Sequence, residues 1–438
     1  MSIPPMPPRQ PGPQASSGPA PSIDLIGATA LGVGGMMGAG LYTLLGLAAR
    51  SAGVLLPLAF LLAGTAASFS VYSYARLGTA FPSRGGGAHF LLAALGDTNL
   101  CASLNVFQYV AYLIATSLYG AGFAEYVGAL AGGHLPAVAL RLIGATAVVV
   151  FTVVNLVGPQ LVERSQKLII AAEVVILALV LILGTSHADP GRILTIPWPS
   201  GAGVVTAAGL LYVTFQGFGV VTNAAQDMQS PRTQLPRAMF LALGIVLVVY
   251  LLVSSLVVSL LPLAEIERDA GHVLANAGGA ILGRTGFLVI AAAAILATAS
   301  AVNATLFASA NIGADLADSR QLPAALARPW LRSTDLSLPV SAAVVILLVL
   351  FFPLDAVGQM TSLAFLIVYG AVSAAHLRVR GKTGARACPL LLAVAINAAL
   401  FVSLLIDTIR TGSPATWITF LAVLAGSFVL TAWLRRDR

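Results

Sequence analysis

The chain has 438 residues, of which 58% are hydrophobic and only 9% are charged, and its mean hydropathy is +0.93. This composition excludes a soluble globular domain and predicts an all-α polytopic membrane protein. A β-barrel is disfavoured because the apolar segments are long and continuous rather than alternating. The net charge of +7 is interpreted as anchoring charge on cytoplasmic loops, so no nucleic-acid partner is expected.

The first 22 residues differ in composition from the rest of the chain. Eight prolines crowd this stretch among few large apolar side chains, so residues 1–22 are predicted to be a disordered cytoplasmic tail. The stretch lacks the basic-then-apolar order of a cleaved signal peptide. We therefore expect the first membrane span to remain in the mature protein.

Apolar segments long enough to cross a bilayer follow one another along the rest of the chain. They predict about twelve spans, of which 338–352 and 354–377 are the least clearly separated pair. The segments lie at 26–49, 54–80, 99–130, 137–156, 166–185, 203–227, 235–261, 280–315, 338–352, 354–377, 388–408 and 415–434.

Positive charge is distributed unequally between alternate connections. If the N-terminus is cytoplasmic, 17 of the 23 lysines and arginines fall in the tails and the even-numbered connections. Cytoplasmic loops of membrane proteins carry such an excess, so both termini are predicted to be cytoplasmic. We expect a multi-pass protein of the cell membrane, surrounded by the lipid bilayer, and the residues favour no particular oligomeric state.

A glycine-rich run interrupts the first predicted span. Five glycines occur among the nine residues from Gly32 to Gly40. Glycine costs about 1 kcal/mol against alanine inside a helix, so the run weakens the helix. Backbone groups that are freed inside hydrocarbon are tolerated only beside a cavity or a ligand. The run therefore predicts a binding site.

A second glycine-rich interruption, from Tyr212 to Gly219, lies in the sixth predicted span, five spans after the first. Because five is odd, two such units would have opposite orientations, which is typical of an inverted-repeat transporter with a site at the membrane midplane. Free N–H groups of half-helices would face an anion, and unwound carbonyls an ammonium group, which suits an α-amino acid. The alternative is that these glycines only allow helices to pack closely.

Several separated motifs resemble the amino acid–polyamine–organocation permease family. Residues 34–42 resemble its first-span sequence GAIIGAGIF, and residues 215–219 resemble its sixth-span sequence FxGF[DE]. Residues 77–88 resemble its loop sequence LGxxxPxxGGxY, with Ala88 in place of the tyrosine. Residues 225–236 and 303–323 resemble two further segments of the family, and the last four spans match by hydropathy alone.

The resemblance implies the five-plus-five inverted repeat of the leucine-transporter fold, with helices 1 and 6 broken. The expected divisions are a first repeat at 23–200, a second repeat at 201–380 and two additional spans at 381–438.

The resemblance also implies a substrate site at the two interruptions. The first would hold the substrate carboxylate through the backbone around Met37, Gly38, Ala39 and Gly40. The second would hold the amine through carbonyls near Phe215, Gln216 and Gly217.

Four further side chains are candidates for this pocket. Phe215 or Phe218 would cover the bound molecule, although ordinary bundle packing is the alternative for each ring. Tyr112 and Thr116 lie one helical turn apart on the third span, and the family alignment places both at the pocket.

Glu173 is an acid inside the fifth predicted span, eight positions past Ser165 and so about 12 Å along the helix. Intramembrane acids are costly and usually functional. In the family this position is often a lysine that replaces a sodium ion between the first and eighth spans, so the expected neighbours are Gly34, Met37 and Ser300. Glu173 would bind a proton reversibly or ligate sodium, and the alternative is a structural hydrogen bond.

These features predict a secondary active transporter for a small neutral amino acid or related amine, coupled to protons. Gly219 replaces the common family acid and Ala111 stands where many relatives have glutamate, so a cationic side chain would find no partner. No cofactor is expected apart from the coupling ion, a proton or sodium.

Three other functions are compatible with the same residues: an exporter or exchanger, a permease for an inorganic cation such as potassium, and a non-transporting sensor. An enzyme is not expected, because the polar residues at the interruptions form no nucleophile–base pair and no metal site.

Overall fold

The computed structural model describes residues 23–83, 85–133, 135–157, 160–189, 191, 199–228, 230–331 and 334–436, with the backbone alone at 157 and 160–167. The tail predicted at 1–22 lies outside the described residues.

Among the described residues the chain forms sixteen α-helices, most of them strongly apolar. They are α1 (Leu25–Met36), α2 (Ala39–Ala52), α3 (Leu56–Ala80), α4 (Gly86–Leu95), α5 (Asn99–Leu130), α6 (Ala137–Val157), α7 (Gln160–Gly184), α8 (Gly201–Leu211), α9 (Phe218–Asn223), α10 (Pro231–Leu260), α11 (Leu263–Arg268), α12 (Val273–Asp318), α13 (Ser337–Phe351), α14 (Leu354–Thr383), α15 (Ala387–Thr411) and α16 (Pro414–Leu434).

Nine helical segments of the described chain are long and apolar enough to cross a membrane. Large apolar side chains on the outer helices, such as Val153, Ile182 and Val429, are more than half exposed, as expected for surfaces that face lipid. The chain is therefore a multi-pass helical membrane protein. A small antiparallel hairpin departs from the predicted all-α fold: β1 (Pro329–Leu331) pairs with β2 (Thr334–Asp335) in the connection between α12 and α13.

Helix boundaries follow local chain chemistry. The segment predicted at 99–130 forms α5 with the same bounds. The close pair at 338–352 and 354–377 forms two helices, separated at Pro353, which has no N–H to continue a helix. The segment predicted at 280–315 is longer in the structure, because α12 begins at Val273 and bends at Gly283, where φ is +60°.

Both predicted interruptions are present. In the first, α1 ends at Met36 and α2 begins at Ala39, with Gly38 extended between them at φ −89° and ψ −150°. In the second, α8 ends at Leu211, a 3₁₀ turn covers Tyr212–Phe215, and α9 begins at Phe218.

Small residues bring the broken helices close to their neighbours. A Cβ atom on Gly32 would lie 2.7 Å from the Cβ of Ala242 on α10 and 2.9 Å from a methyl carbon of Val221 on α9. A Cβ atom on Gly64 would likewise meet the side chain of Leu247, so α3 also packs closely on α10. The interruptions are therefore held in the middle of the helical bundle, against α10.

Candidate functional site

A cavity of about 600 Å³ lies between the two interruptions and the central parts of α5, α12 and α14. Its inner end contains Gly38 and Gln216. Its other end contains Gly85 and Ser319, which are exposed, so the cavity reaches the protein surface there.

The two interruptions touch through their backbones. A Cβ atom on Gly35 would lie 2.9 Å from the carbonyl oxygen of Gly217, and one on Gly217 would overlap the carbonyl group of Gly35. Further along, a Cβ atom on Gly40 would lie 3.2 Å from the Cα of Thr214. These glycines are needed for close approach, which is the packing role that the sequence left open.

The N-terminus of α2 opens into the cavity. Gly38 is its N-cap residue and has no side chain with which to satisfy the first N–H groups of the helix. Gly38, Ala39 and Gly40 all line the cavity, and a Cβ atom on Gly38 would meet no heavy atom within 4 Å. Unpaired N–H groups and the positive end of the helix dipole thus face open space, as an anion site requires.

Tyr250 on α10 connects the two interruptions. Its phenol donates a hydrogen bond of 2.6 Å to the carbonyl of Met36, and it lies 3.4 Å from the carbonyl of Thr214. Its ring packs against Phe215 with centroids 5.3 Å apart. Sequence reasoning missed Tyr250, although a tyrosine inside an apolar span signals that its hydroxyl needs a partner.

Gln216 places an amide in the cavity wall at the second interruption. Its Nε2 atom donates to the phenol of Tyr119 at 2.7 Å, and Tyr369 donates to its backbone carbonyl at 2.9 Å. Its buried Oε1 atom has no hydrogen-bond partner among the described residues. Gln216 therefore offers an acceptor to a ligand.

The predicted site residues divide into those in the cavity wall and those behind it. The wall contains Gly34, Gly38, Ala39, Gly40, Tyr112, Glu173, Gln216, Gly217 and Ser300. The residues that do not line the cavity are Met37, Thr116, Phe215 and Phe218.

The residues behind the wall have packing or hydrogen-bonding partners of their own. The hydroxyl of Thr116 donates to the carbonyl of Tyr112 at 2.8 Å. The ring of Phe218 lies between those of Tyr74 and Tyr369, with centroids 5.3 Å and 4.9 Å away. Phe218 and the fully buried Phe215 do not cover the cavity in this conformation.

An aromatic surface, of which the sequence indicated only Tyr112, forms one side of the cavity. It comprises Tyr74, Tyr112, Tyr119, Phe365 and Tyr369. The rings other than that of Tyr119 contact one another at steep or tilted angles, with centroids 5.3 Å apart for Tyr74 and Tyr369 and 5.5 Å for Tyr112 and Phe365. These residues come from three helices distant in the chain, so no local pattern groups them.

Glu173 lies in the cavity wall with 4% of its surface exposed. Its Oε1 atom has no hydrogen-bond partner among the described residues. A Cβ atom on Gly34 would lie 2.5 Å from the side chain of Ile170, which is three residues before Glu173 on α7. The structure thus brings Glu173, Gly34 and Ser300 to the wall of one cavity.

The fold and the cavity define a class of protein: a helical membrane protein with a cavity between two interrupted helices, an arrangement typical of solute transporters. The sequence profile of the family described as amino acid permease matches residues 23–432. The chain belongs to the amino acid permease family, which confirms the family predicted from the motifs.

Two of three similar proteins are named as transport proteins, and the third is uncharacterized. The chain is 28% identical over 418 residues to the inner membrane transport protein YbaT of Escherichia coli, covering 95% of this chain and 97% of that protein. It is 26% identical over 298 residues to the branched-chain amino acid permease BcaP of Bacillus subtilis, covering 60% and 62%. An uncharacterized protein of Methanocaldococcus jannaschii is 31% identical over 366 residues, covering 83% and 84%. The protein is thus a permease and not an enzyme, as the sequence predicts.

Proposed function

We propose that the protein is a secondary active transporter that moves a small neutral amino acid or related amine across the cytoplasmic membrane by alternating access. In this proposal it has twelve spans, an inverted repeat of five and five helices, and both termini in the cytoplasm. The observation that carries the proposal is the meeting of two interrupted helices at one cavity, with N–H groups on one side and a free acceptor on the other.

The substrate carboxylate would bind at the N-terminus of α2. The N–H groups around Gly38, Ala39 and Gly40 have no partner within the first turn of the helix, and the helix dipole favours a negative charge there. The absence of a side chain on Gly38 leaves room for the carboxylate beside the backbone.

The substrate amine would bind at the second interruption. The unpartnered Oε1 atom of Gln216 accepts a hydrogen bond, and the carbonyl of Gln216, already bonded to Tyr369, retains a second lone pair. Tyr119 holds the Gln216 amide in place from the other side.

The scarcity of acids in the cavity wall favours a substrate with an uncharged side chain. Among the described residues that line the cavity, Glu173 and Asp315 are the acids, and Asp315 is at the surface end. Gly219, which takes the place of the family acid, faces open space. Apart from Glu173, which this proposal assigns to the coupling ion, a cationic side chain would therefore find no carboxylate partner at the central site.

Glu173 would couple transport to the proton gradient. Burial favours the neutral form of a carboxyl group, so Glu173 would take up and release a proton as its access to solvent changes. Carbonyls of the last turn of α1, near Gly34, and the hydroxyl of Ser300 line the same cavity. These oxygens would also suit sodium, which is the alternative coupling ion.

Uptake of radiolabelled neutral amino acids by proteoliposomes tests the proposal. We expect saturable uptake driven by an inward proton gradient and unchanged when choline replaces sodium. Sodium dependence would assign the coupling ion to sodium instead. Saturable uptake of arginine or putrescine with no competition from neutral amino acids, or transport of rubidium alone, would contradict the proposed substrate class. Uptake that occurs only when the proteoliposomes are preloaded with unlabelled substrate would identify an exchanger.

A further inference from the structure

A second group of polar side chains lines the cavity, away from the interrupted helices. Asn105 and Gln108 lie near the N-terminus of α5, and Gln321 follows the end of α12. All three are buried, with 3%, 6% and 6% of their surfaces exposed. Buried amides are costly in a membrane protein unless they have hydrogen-bond partners, so this cluster requires an explanation.

The cluster is incompletely paired. Asn105 donates from Nδ2 to Oε1 of Gln321 at 3.1 Å and approaches the sulfur of Cys101 at 3.7 Å. The Oδ1 atom of Asn105 and the Oε1 atom of Gln108 have no hydrogen-bond partner among the described residues. Each buried acceptor without a partner costs about 1–3 kcal/mol. Two such atoms in one cavity wall point to a ligand that donates hydrogen bonds.

The neighbouring backbone makes room for Gln108. A Cβ atom on Gly87 would lie 2.8 Å from the phenol oxygen of Tyr74 and 3.2 Å from both amide atoms of Gln108. The first turn of α4 therefore closes directly over the amide, and the glycine allows this approach. The group is a packed wall of the cavity rather than a loose polar surface.

The cluster and the partner of the second interruption lie at different levels along α5. Gln108 precedes Tyr119, the partner of Gln216, by eleven residues on α5, which is about 16 Å of helix rise. Helical side chains lean toward the N-terminus, so both residues lean the same way and the offset persists. A small amino acid is no longer than two extended residues, ~7 Å.

We propose that Asn105, Gln108 and Gln321 form a second substrate subsite, which takes the ammonium group of an amino acid between the central site and the surface. The unpartnered oxygen atoms of Asn105 and Gln108 accept hydrogen bonds, and an ammonium group only donates them. Asp315 lies at the same end of the cavity and adds a favourable potential for a cation. The inference rests on the proposed function.

Binding stoichiometry on the purified full-length protein tests the subsite. The probe is the radiolabelled form of whichever of the twenty L-amino acids raises Tm most. We expect close to two molecules per chain for the unaltered protein and close to one for Gln108→Met, which keeps the side-chain volume and removes the amide. Gln108→Glu, which keeps the acceptor, retains two molecules and binds the second more tightly. Gly38→Val, which fills the central site, retains one weakly bound molecule.

Asn397→Leu is the matched control. Asn397 is also a buried amide with an unpartnered oxygen, but it does not line the cavity, so its loss leaves two molecules bound. One molecule per chain in the unaltered protein, or two in Gln108→Met, would contradict the second subsite and leave the proposed function standing. Gln108-dependent binding of rubidium, with a single amino acid bound per chain, assigns the subsite to an alkali cation and overturns the ammonium assignment. A screen in which no amino acid binds overturns the proposed function itself.

Discussion

Gly35 and Gly217 place the backbones of the two interrupted helices in direct contact: a Cβ atom on Gly217 would overlap the carbonyl group of Gly35. The residues are 182 positions apart in the chain, yet neither has room for a methyl group. Because of this contact, the amides at the start of α2 and the amide of Gln216 face the same cavity.

Replacing Gly217 by alanine is expected to separate the two interruptions. The atoms that the new methyl group meets belong to the backbone, at Gly35 and Met36, so no side chain can move aside. We expect a loss of about 1–3 kcal/mol in stability and loss of substrate binding. Thermal unfolding and equilibrium binding measure the two effects.

Gly244→Ala is the control for this change. Gly244 lies within α10, and its Cβ atom would meet nothing within 4 Å, so this variant should be as stable as the parent or more stable by up to ~1 kcal/mol. Normal binding by Gly217→Ala would show that the contact does not shape the site.

Gly38→Val is expected to block the central site without unfolding the protein. The φ and ψ of Gly38 are accessible to other residues, and its Cβ atom would project into open space. The valine side chain would occupy the place of the substrate carboxylate, so Kd at the central site should rise at least ~tenfold, a loss of 1.4 kcal/mol. Gly38→Ala should have an intermediate Kd. Both variants should keep the parent Tm, which separates this residue from Gly217.

The control for Gly38→Val is Gly426→Val, a glycine on α16 that is also surrounded by open space but lies away from the cavity. Its substrate Kd should equal that of the parent. An unchanged Kd in Gly38→Val would exclude the start of α2 as the carboxylate site.

Tyr250→Phe is expected to loosen both interruptions together. The change keeps the ring that packs on Phe215 and removes the hydroxyl that bonds to Met36 and faces Thr214. Loss of the hydrogen bond should cost about 1–2 kcal/mol of stability and lower the rate of uptake. Proteoliposome uptake and thermal unfolding give the two values.

Tyr109→Phe makes the same chemical change elsewhere, since the phenol of Tyr109 bonds to Ser341 and does not line the cavity. A similar loss of stability with normal uptake is expected there. Equal uptake by the two variants would mean that Tyr250 has only a structural role.

Glu173→Gln is expected to separate binding from coupling. Glutamine has nearly the same shape as protonated glutamate, so substrate binding and exchange of substrate across the membrane should persist. Uptake driven by a proton gradient should fall to the level of empty liposomes, and the remaining exchange should no longer depend on pH. Asp407→Asn on α15, an acid that does not line the cavity, should transport normally. Gradient-driven, pH-dependent uptake in Glu173→Gln would refute the coupling role.

Much of the fold follows from local properties of the chain. Hydropathy over about 20 residues marks a span wherever it occurs, so the sequence predicts α5 and α13 to within one residue and α14 with its correct start. The short helix α4 and the hairpin after α12 were not predicted, because their form depends on what the connecting segments pack against.

The candidate site was predicted only in part. Glycine weakens a helix through its own backbone, so both interruptions are visible in the sequence. Which side of each helix faces the cavity is not visible: Tyr112 reaches it, whereas Thr116 and Phe218 lie behind the wall.

The sequence by itself determined that this protein is a helical membrane permease with two broken helices and an acid at Glu173, because hydropathy, helix propensity and family motifs are read along the chain. Only the tertiary structure decided that Tyr250 joins the two interruptions, across 214 positions from Met36, and that Gln108 shares a cavity with Gln321. Such partners are selected by the packing of whole helices, and residues far apart in sequence meet only when that packing is complete.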